Sequence, residues 1–447
     1  MTYTALYQAI AKELGEKCIY DPLMAARIEL WRTMYEGHAP WNGDRVPSAG
    51  IAASVSAEVA KLMSIEVMAE LKGSEIISDQ LESVLIPRLR QYAEYGVAKG
   101  SLIIKPIVVG DKLGTQFIQA DKFFPISYDG SGNVTACVLV EQFRQNKRIY
   151  TRLEVHSISN GVLTVENKAY ISESDGLLGS RCSLAEVERW QDLAEEQSFS
   201  GIDKLPFGYF KCPLANQLGD SPLGASVYAR AVEHIKEADI RYGEICWEYE
   251  SKQAAVHVSE SMLKYDKEND RFIMPDGQDR LYRALVYNTG ATDKPLIDVY
   301  SPEIRSSEYF DGYNAQLRMI EFDCSLAYGT LSNPETVDKT ATEVEASKQR
   351  SYTLISDCQA AMETAIRDWA DGALFWLRLY GLERSGSVDL KIDWGDSILA
   401  NPQLEREEDR KDVAMGVMRL EEYRAKWYGE DIKTALNNLP DTAQVID

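Results

Sequence analysis

Leu331-Ser-Asn-Pro-Glu-Thr-Val-Asp-Lys-Thr-Ala-Thr-Glu-Val344 is the stretch on which the reading of the chain turns. Its first half is a polar break. Asn333-Pro334 favours a turn, and Pro334 has no N–H with which to continue a helix. Glu335, Thr336 and Asp338 are costly to bury, so Leu331 to Lys339 is expected to lie in water. Its second half is a helix start, because Thr340-x-x-Glu343 has the spacing of a capping box. A helical period then runs through Val344, Ser351, Leu354, Ile355, Cys358, Met362, Ile366, Trp369, Ala373 and Trp376 to Tyr380. Such a helix is about 40 residues and roughly 60 Å long. That exceeds the width of a small domain, and implies a coiled coil, a bundle or a large assembly.

Upstream of the break, Ser306 to Tyr328 reads as a second long helix, with Tyr309, Tyr313, Leu317, Ile320, Cys324 and Ala327 on its apolar side. Short strands precede it at Gln253–Ser259, Arg271–Met274, Leu281–Asn288 and Leu296–Tyr300, with turns at Pro275-Asp-Gly277 and Asn288-Thr-Gly290. Before these, Ala225 to Glu250 reads as another helix of roughly 40 Å. Tyr228, Ala231, Val232, Ile235, Ala238, Tyr242, Ile245 and Tyr249 form its apolar side. Arg230, Glu233, Lys236, Glu237, Arg241, Glu244 and Glu248 form the other.

The first part of the chain changes period. Leu23–Gly37, Ile51–Leu71 and a segment from Ser74, a plausible N-cap, to Gly96 read as helices, the last kinked at Pro87. Strands follow at Ser101–Val109, Thr115–Ser127 and Val134–Gln142, the last two flanking Asp129-Gly-Ser-Gly-Asn133. Arg148–Ser157 and Val162–Tyr170 flank Asn160-Gly161, a type I′ hairpin signal. At the other end, Val388–Trp394 alternates like a strand, and the chain from Leu404 is charged and helical. The fold class is α+β, with no internal repeat.

Composition narrows function. The chain has 447 residues, 48 Lys+Arg and 70 Asp+Glu, for a net charge of −22. Broad phosphate neutralisation is excluded, although a polyanion could slide past without sticking. The 7 cysteines are scattered, which argues against a zinc ribbon or a redox C-x-x-C pair and fits a reducing compartment. Met1-Thr-Tyr-Thr-Ala lacks a basic region before an apolar run, and no stretch is apolar enough to span a membrane; no membrane partner is expected. There is no phosphate-binding glycine loop. His38, His156, His234 and His257 are too far apart in sequence to suggest a metal or triad site. Asp129-x-Ser-x-Asn133 lacks the closing acid of a calcium loop. Catalytic, metal and cofactor sites are therefore all expected to be none. An acidic hydrolase working with two carboxylates stays open as a rival.

The stretch Asn333–Val344, with Ser347-Lys-Gln-Arg-Ser-Tyr352 after it, resembles the portal proteins of tailed bacteriophages, in which a Thr-Ala-Thr-Glu-Val element opens the long helix after the tunnel loop. Other segments are similar in the same order: Trp31 to Tyr35 with Gly37, Pro40 and Trp41; Ala120-Asp-Lys-Phe-Phe-Pro-Ile-Ser-Tyr-Asp129 with Gly132; and Gly219-Asp-Ser-Pro-Leu-Gly-Ala-Ser226. The resemblance covers about residues 25–395 and is weakest at the C-terminus; another ring-forming virion structural protein, such as a head–tail connector, or some other elongated virion or coiled-coil protein stays open beside it.

The resemblance implies an elongated portal fold. Residues 1–223 would form a wing of helices plus antiparallel sheet. Residues 224–250 and 303–329 would be two stem helices, with a small α/β clip at 251–302 between them. A tunnel loop would follow at 330–339, then a long kinked helix and return strand at 340–397, and a helical crown at 398–447. It implies a homo-oligomeric ring, commonly a dodecamer, at one capsid vertex. Double-stranded DNA would be packaged and ejected through it, and it would be assembled in the host cytoplasm. Implied partners are the terminase large subunit, which carries the ATPase, a head–tail adaptor, and the major capsid and scaffolding proteins. Ser332, Asn333, Glu335, Thr336, Asp338 and Lys339 would face DNA at the constriction. Tyr228, Ile235, Arg241, Tyr242, Tyr313, Leu317 and Arg318 would make stem contacts between subunits. Glu233, Glu237, Glu244, Glu248 and Asp311 are expected on solvent or tunnel sides, with Arg230, Lys236, Arg241 and Arg318 pairing between subunits.

Overall fold

The computed structural model describes residues 2–15, 21–174, 177–218, 221, 223–252, 255–259, 264–266, 271–273, 282–285, 297–300, 303, 306–333, 341–384, 386–395 and 402–439. For 255–300, 306, 341–348, 402–405 and 408 it describes the backbone alone. The fold is α+β, with helices beside antiparallel sheets.

Helix α1 (Tyr3–Leu14) lies on the sheet through two tyrosines. Tyr3 Oη donates to the Phe123 carbonyl at 3.1 Å and Tyr7 Oη to that of Pro125 at 2.8 Å. Helix α2 (Pro22–Tyr35) starts where Asp21 caps the Leu23 and Met24 amides, with Pro22 in the first turn. Helix α3 (Ile51–Ser64) ends earlier than its periodicity suggests. The expected extension to Leu71 is instead strand β1 (Met68–Lys72), because an edge is available: β16 (Asp389–Asp393) pairs with it, Leu71 opposite Leu390.

Ser74 caps α4 (Glu75–Gln80) as its position implied, its Oγ accepting the Ile77 amide. The expected kink at Pro87 is a wide turn placed one step upstream. Residues 81–85 are π-helical, and α5 (Ile86–Lys99) follows. The wider turn accommodates a ring that has no N–H to donate.

Strand β2 (Ser101–Val109) pairs with β3 (Lys112–Gln119). The strand expected over Thr115–Ser127 is two strands. A 3-10 turn at Ala120–Lys122 separates β3 from β4 (Phe123–Tyr128) and carries the chain from one sheet to the next. Lys99 fixes that corner by donating to Gln119 and Asp121. Strands β5 (Val134–Gln145), β6 (Arg148–Ser159) and β7 (Val162–Ser172) continue the larger sheet, with β8 (Ser180–Cys182) and β9 (Glu196–Ser200) both on β7. Asn160 (φ 51°) and Gly161 (φ 73°) make the type I′ turn. Asp129 is a turn residue: its Oδ1 accepts the Ser131 and Asn133 amides.

Strand β10 (Gly208–Lys211) closes the smaller sheet on β2. Helix α6 (Val232–Ser251) follows. Strands β11 (Ala255–Ser259), β12 (Lys264–Asp266), β13 (Arg271–Ile273), β14 (Tyr282–Leu285) and β15 (Ile297–Tyr300) come next, with β14 parallel and β15 antiparallel to β11, and β12 paired to β13. The expected turns at 275–277 and 288–290 lie outside the described residues. Helix α7 (Ser306–Asp323) and the 39-residue α8 (Ala341–Leu379) follow. Three charged helices, α9 (Pro402–Met415), α10 (Leu420–Tyr428) and α11 (Ile432–Asn437), end the described chain.

Helix α8 packs within the chain along the side chains that are described. Ile355, Cys358, Met362, Ile366, Trp369, Ala373 and Leu377 are buried in the chain's own core, against β2 and β10. A helix longer than a domain is wide has here acquired its own domain wall.

Charge is buried in the larger sheet. Glu154 on β6 takes Lys105 of β2, His156 Nε2 at 2.7 Å and Arg152 at 3.1 Å. Arg152 also reaches Glu141 and Asn167. Burial pushes the Glu154 carboxyl up, but Lys105, His156 and Arg152 outweigh it and hold it well below the usual carboxylate range. Burial pushes the His156 imidazole down, more than Glu154 pulls it up. Both folded values thus lie below the unfolded ones, and stability from both is present at high pH and lost as pH falls. The imidazole acts first, since an unfolded histidine protonates near about 6.5. The melting temperature is expected to drop between pH 7.5 and 5, and His156→Gln should flatten that slope. An unchanged slope in the variant would remove His156 as its source.

Candidate functional site

Helices α6 and α7 run antiparallel and meet through named pairs. His234 Nδ1 and Asp323 Oδ2 are 2.7 Å apart at one end, and the Tyr242 and Tyr313 rings lie 6.3 Å apart further along. The N-terminal part of the chain straps α6. Asp239, buried, accepts from Trp41 Nε1 at 2.9 Å, from Asn42 Nδ2 at 3.1 Å and from the Ala49 amide at 2.8 Å. Gly243 leaves room for this strap, since a Cβ there would stand 2.5 Å from the Arg45 carbonyl oxygen.

Helix α6 starts at Val232, not at Ala225. Residues before it serve tertiary contacts: the Val227 amide donates to the Val97 carbonyl, and Gly100 and Gly224 meet backbone to backbone. Tyr228 is consequently no helix-face residue. It is buried, with its Oη on the Trp31 carbonyl at 2.8 Å. Burial also raises its phenol pKa strongly. Ile235 is buried too. Neither side chain is available to another subunit, which corrects the contact that the resemblance implied for them: their apolar neighbours belong to this chain. Glu248, expected in solvent, is buried as well.

The other expected contact residues have mixed fates. Tyr242 is exposed at its edge, whereas Tyr313 and Leu317 are half-buried against the core. Arg241 pairs within its own helix with Glu244 at 2.8 Å, and Lys236 with Glu233 at 3.8 Å, so these two cations have partners inside the chain. Arg318 is half-buried beside His234, Met319, Phe322, Tyr328 and Asn333, which line one shallow pocket. Glu233, Glu237 and Asp311 are exposed as expected.

Helix α7 ends at Asp323, five residues short of expectation, because Ser325 turns left-handed (φ 56°) and the Leu326 amide folds back onto the Glu321 carbonyl. Glu321 then organises the chain beyond that turn. Its buried carboxylate accepts the amides of Gly329 at 3.1 Å, Leu331 at 2.6 Å and Ser332 at 2.8 Å, and the Ser332 hydroxyl at 2.8 Å. Asn314 Oδ1 accepts the Asn333 amide at 2.7 Å. The chain after α7 is therefore stitched back along the helix it has just left. Helix α8 closes the joint: Ser351 Oγ accepts the Ala327 amide at 2.7 Å, and Arg350 lies over the Phe322 and Tyr328 rings.

The polar break thus begins differently from the expectation that all of Leu331–Lys339 is in water. Ser332 is buried as a donor to Glu321, and Asn333 is exposed. Glu335, Thr336, Asp338 and Lys339, together with the capping box at Thr340, lie outside the described residues. Glu321 was not picked out from the sequence. A glutamate at the end of an amphipathic helix looks like any solvated acid, and only the returning chain distinguishes it.

Exposed apolar side chains mark the outer faces of this helix pair: Trp247 is 66% exposed, Phe310 47%, Met319 47% and Phe322 57%. Among the described residues no group of three or more His, Cys, Asp or Glu side chains is placed to hold a metal. Nor, among them, is any helix long and apolar enough to cross a membrane.

No protein-family model matches the chain, and no curated protein is similar to it in sequence. Among solved structures the chain is similar to one in the neck of a native GTA particle computed with C12 symmetry. The TM-score is 0.44 at 13% identity, over 97% of this chain and 98% of that one.

Proposed function

We propose that the chain is a non-enzymatic structural protein of the phage head–tail connector, of the portal kind: a homo-oligomeric ring at one capsid vertex through which double-stranded DNA is packaged and ejected. The observation that carries this reading is the helix pair α6–α7, whose outer faces expose large apolar side chains while the loop after it is anchored at its base by Glu321. A chain that kept such faces in water would be prone to associate. The sequence likeness around Asn333–Val344 gives the association its direction, toward a ring with the 330–339 loop on the tunnel side.

In this reading residues 1–223 are the wing, α6 and α7 the stem, the segment between them the clip, and the last helices the crown. The clip docks the terminase large subunit and later a head–tail adaptor, and the wing meets capsid and scaffolding proteins. Clip strands pair with one another within the chain, and further pairing to adjacent subunits adds to that. An acidic tunnel repels phosphate and lets the duplex move without a deep binding minimum. Native mass spectrometry of the full chain tests the reading: a large closed oligomer is expected, and a compact monomer at micromolar concentration would sink it. Within the ring, Lys339→Ala should change DNA retention or packaging while leaving ring mass unchanged. Loss of assembly in that variant would remove Lys339 from the tunnel.

A further inference from the structure

Pro206 and Gly208 meet α8 backbone to backbone, the first at Gly372 and the second at Ala365. Rising numbers on the strand side meet falling numbers on the helix, so β10 runs antiparallel to α8. Ala365 and Gly372 are a heptad apart and lie on one side of the helix. One heptad further back on that side is Cys358. From Gly208, four residues of extended chain lead to Cys212 on the same strand face, a length of roughly 13 Å. From Ala365, seven residues of helix lead back to Cys358, a length of about 10 Å. Strand and helix thus bring the two cysteines level, and their thiols are hydrogen-bonded to each other. The two lie on the order of 150 residues apart in the chain, so no local spacing marks them as a pair.

Main chain holds the strand side of the pair in place. The Cys212 amide donates to the Gly100 carbonyl at 3.0 Å, and a Cβ at Gly224 would stand 3.1 Å from that amide nitrogen. Both cysteines are fully buried, in the core that α8 shares with β2 and β10. The other buried cysteines have charged company: Glu154 and Lys105 act on Cys137, and Asp323 acts on Cys324.

We propose that Cys212 and Cys358 are a redox-sensitive lock, a buried dithiol that a peroxide closes into a disulfide fixing the end of β10 to α8. One sulfur, as thiolate, attacks a peroxide oxygen and becomes a sulfenic acid, and water is released. The second sulfur attacks the first, the S–S bond forms, and the sulfenic oxygen leaves as water. Two thiols and one hydrogen peroxide give one disulfide and two waters, and two electrons pass from the sulfurs to the peroxide oxygens. Thiols already in contact reach bonding distance by side-chain rotation, without moving the backbone. The hydrogen bond to Cys212 and burial push the Cys358 thiol well up, so closure at neutral pH is slow and the dithiol is the resting state. The lock does not depend on the ring reading, since a monomer would carry the same pair.

The test uses the full chain with Cys246→Ser, which removes an exposed thiol and one route to cross-links between chains. The protein is held overnight with hydrogen peroxide at neutral pH, unfolded in urea with iodoacetamide, and mapped by peptide mass without reductant. A Cys212–Cys358 linkage is expected, two hydrogens lighter than the dithiol. The oxidised protein should melt about 5 °C higher than the untreated one, because the link closes a long loop of the unfolded chain. Dithiothreitol should reverse the rise. Cys358→Ala should show neither linkage nor rise; where that variant fails to fold, the linkage in the parent decides alone. Cys212 and Cys358 recovered alkylated, recovered as separate sulfinic or sulfonic acids, or joined to other cysteines would overturn the pair. A linkage formed without a rise in melting temperature would overturn the lock.

Discussion

Gly208→Val is expected to unfold the chain or to lower its stability by about 3 kcal/mol or more, the upper range of overpacking costs. Strand β10 crosses α8 so closely that a Cβ at Gly208 would overlap the Ala365 carbonyl oxygen. Two helical turns further on, a Cβ at Gly372 would stand 2.5 Å from the Pro206 carbonyl oxygen. The segment Pro206–Gly208 and the middle of α8 thus meet backbone to backbone, with one glycine supplied by each. A side chain between them cannot swing away, because both obstacles are main chain. Thermal melting beside Gly43→Ala, where a Cβ meets nothing, would measure it. Equal melting temperatures would show that β10 and α8 are not locked in this way.

Glu321→Ala should cost about 3 kcal/mol, because several buried donors lose one charged acceptor together. The damage is expected at the joint first. Amides of Gly329, Leu331 and Ser332 should exchange with solvent much faster, while those of α8 around Trp369 stay protected. Glu321→Gln keeps one accepting oxygen and should be milder. Under the proposed function the variant still assembles but holds its tunnel segment loosely, so DNA retention falls before ring mass does. Slow exchange at those three amides in the alanine variant would show that another group holds the loop.

Much of the secondary structure was legible in local sequence. Asn160-Gly161 demanded a type I′ turn, Ser74 capped a helix, and the alternation at Val388–Trp394 was a strand. These depend on neighbours within a few residues, which is where backbone sterics and capping act. The errors cluster where a distant segment intervened. Residues 68–72 became a strand because β16 offered an edge. Residues 225–231 stayed outside α6 because Val97 and Gly100 claimed their backbone.

The candidate site divides the same way. The break after α7 and the amphipathic helices around it could be read from Pro334 and from apolar spacing. Periodicity separates an apolar side from a polar one but does not say what covers the apolar side. Tyr228 and Ile235 were covered by their own chain, and Trp247, Phe322 and Met319 were left outside. Glu321 has the opposite history: an ordinary acid in sequence, it became the anchor of the joint once four donors from residues 329–332 converged on it. The sequence alone determined an acidic α+β chain with a proline break before a long helix, because composition, capping and turn chemistry are local. Which faces are spent inside the chain, and which remain exposed, was decided only when segments hundreds of residues apart came into contact.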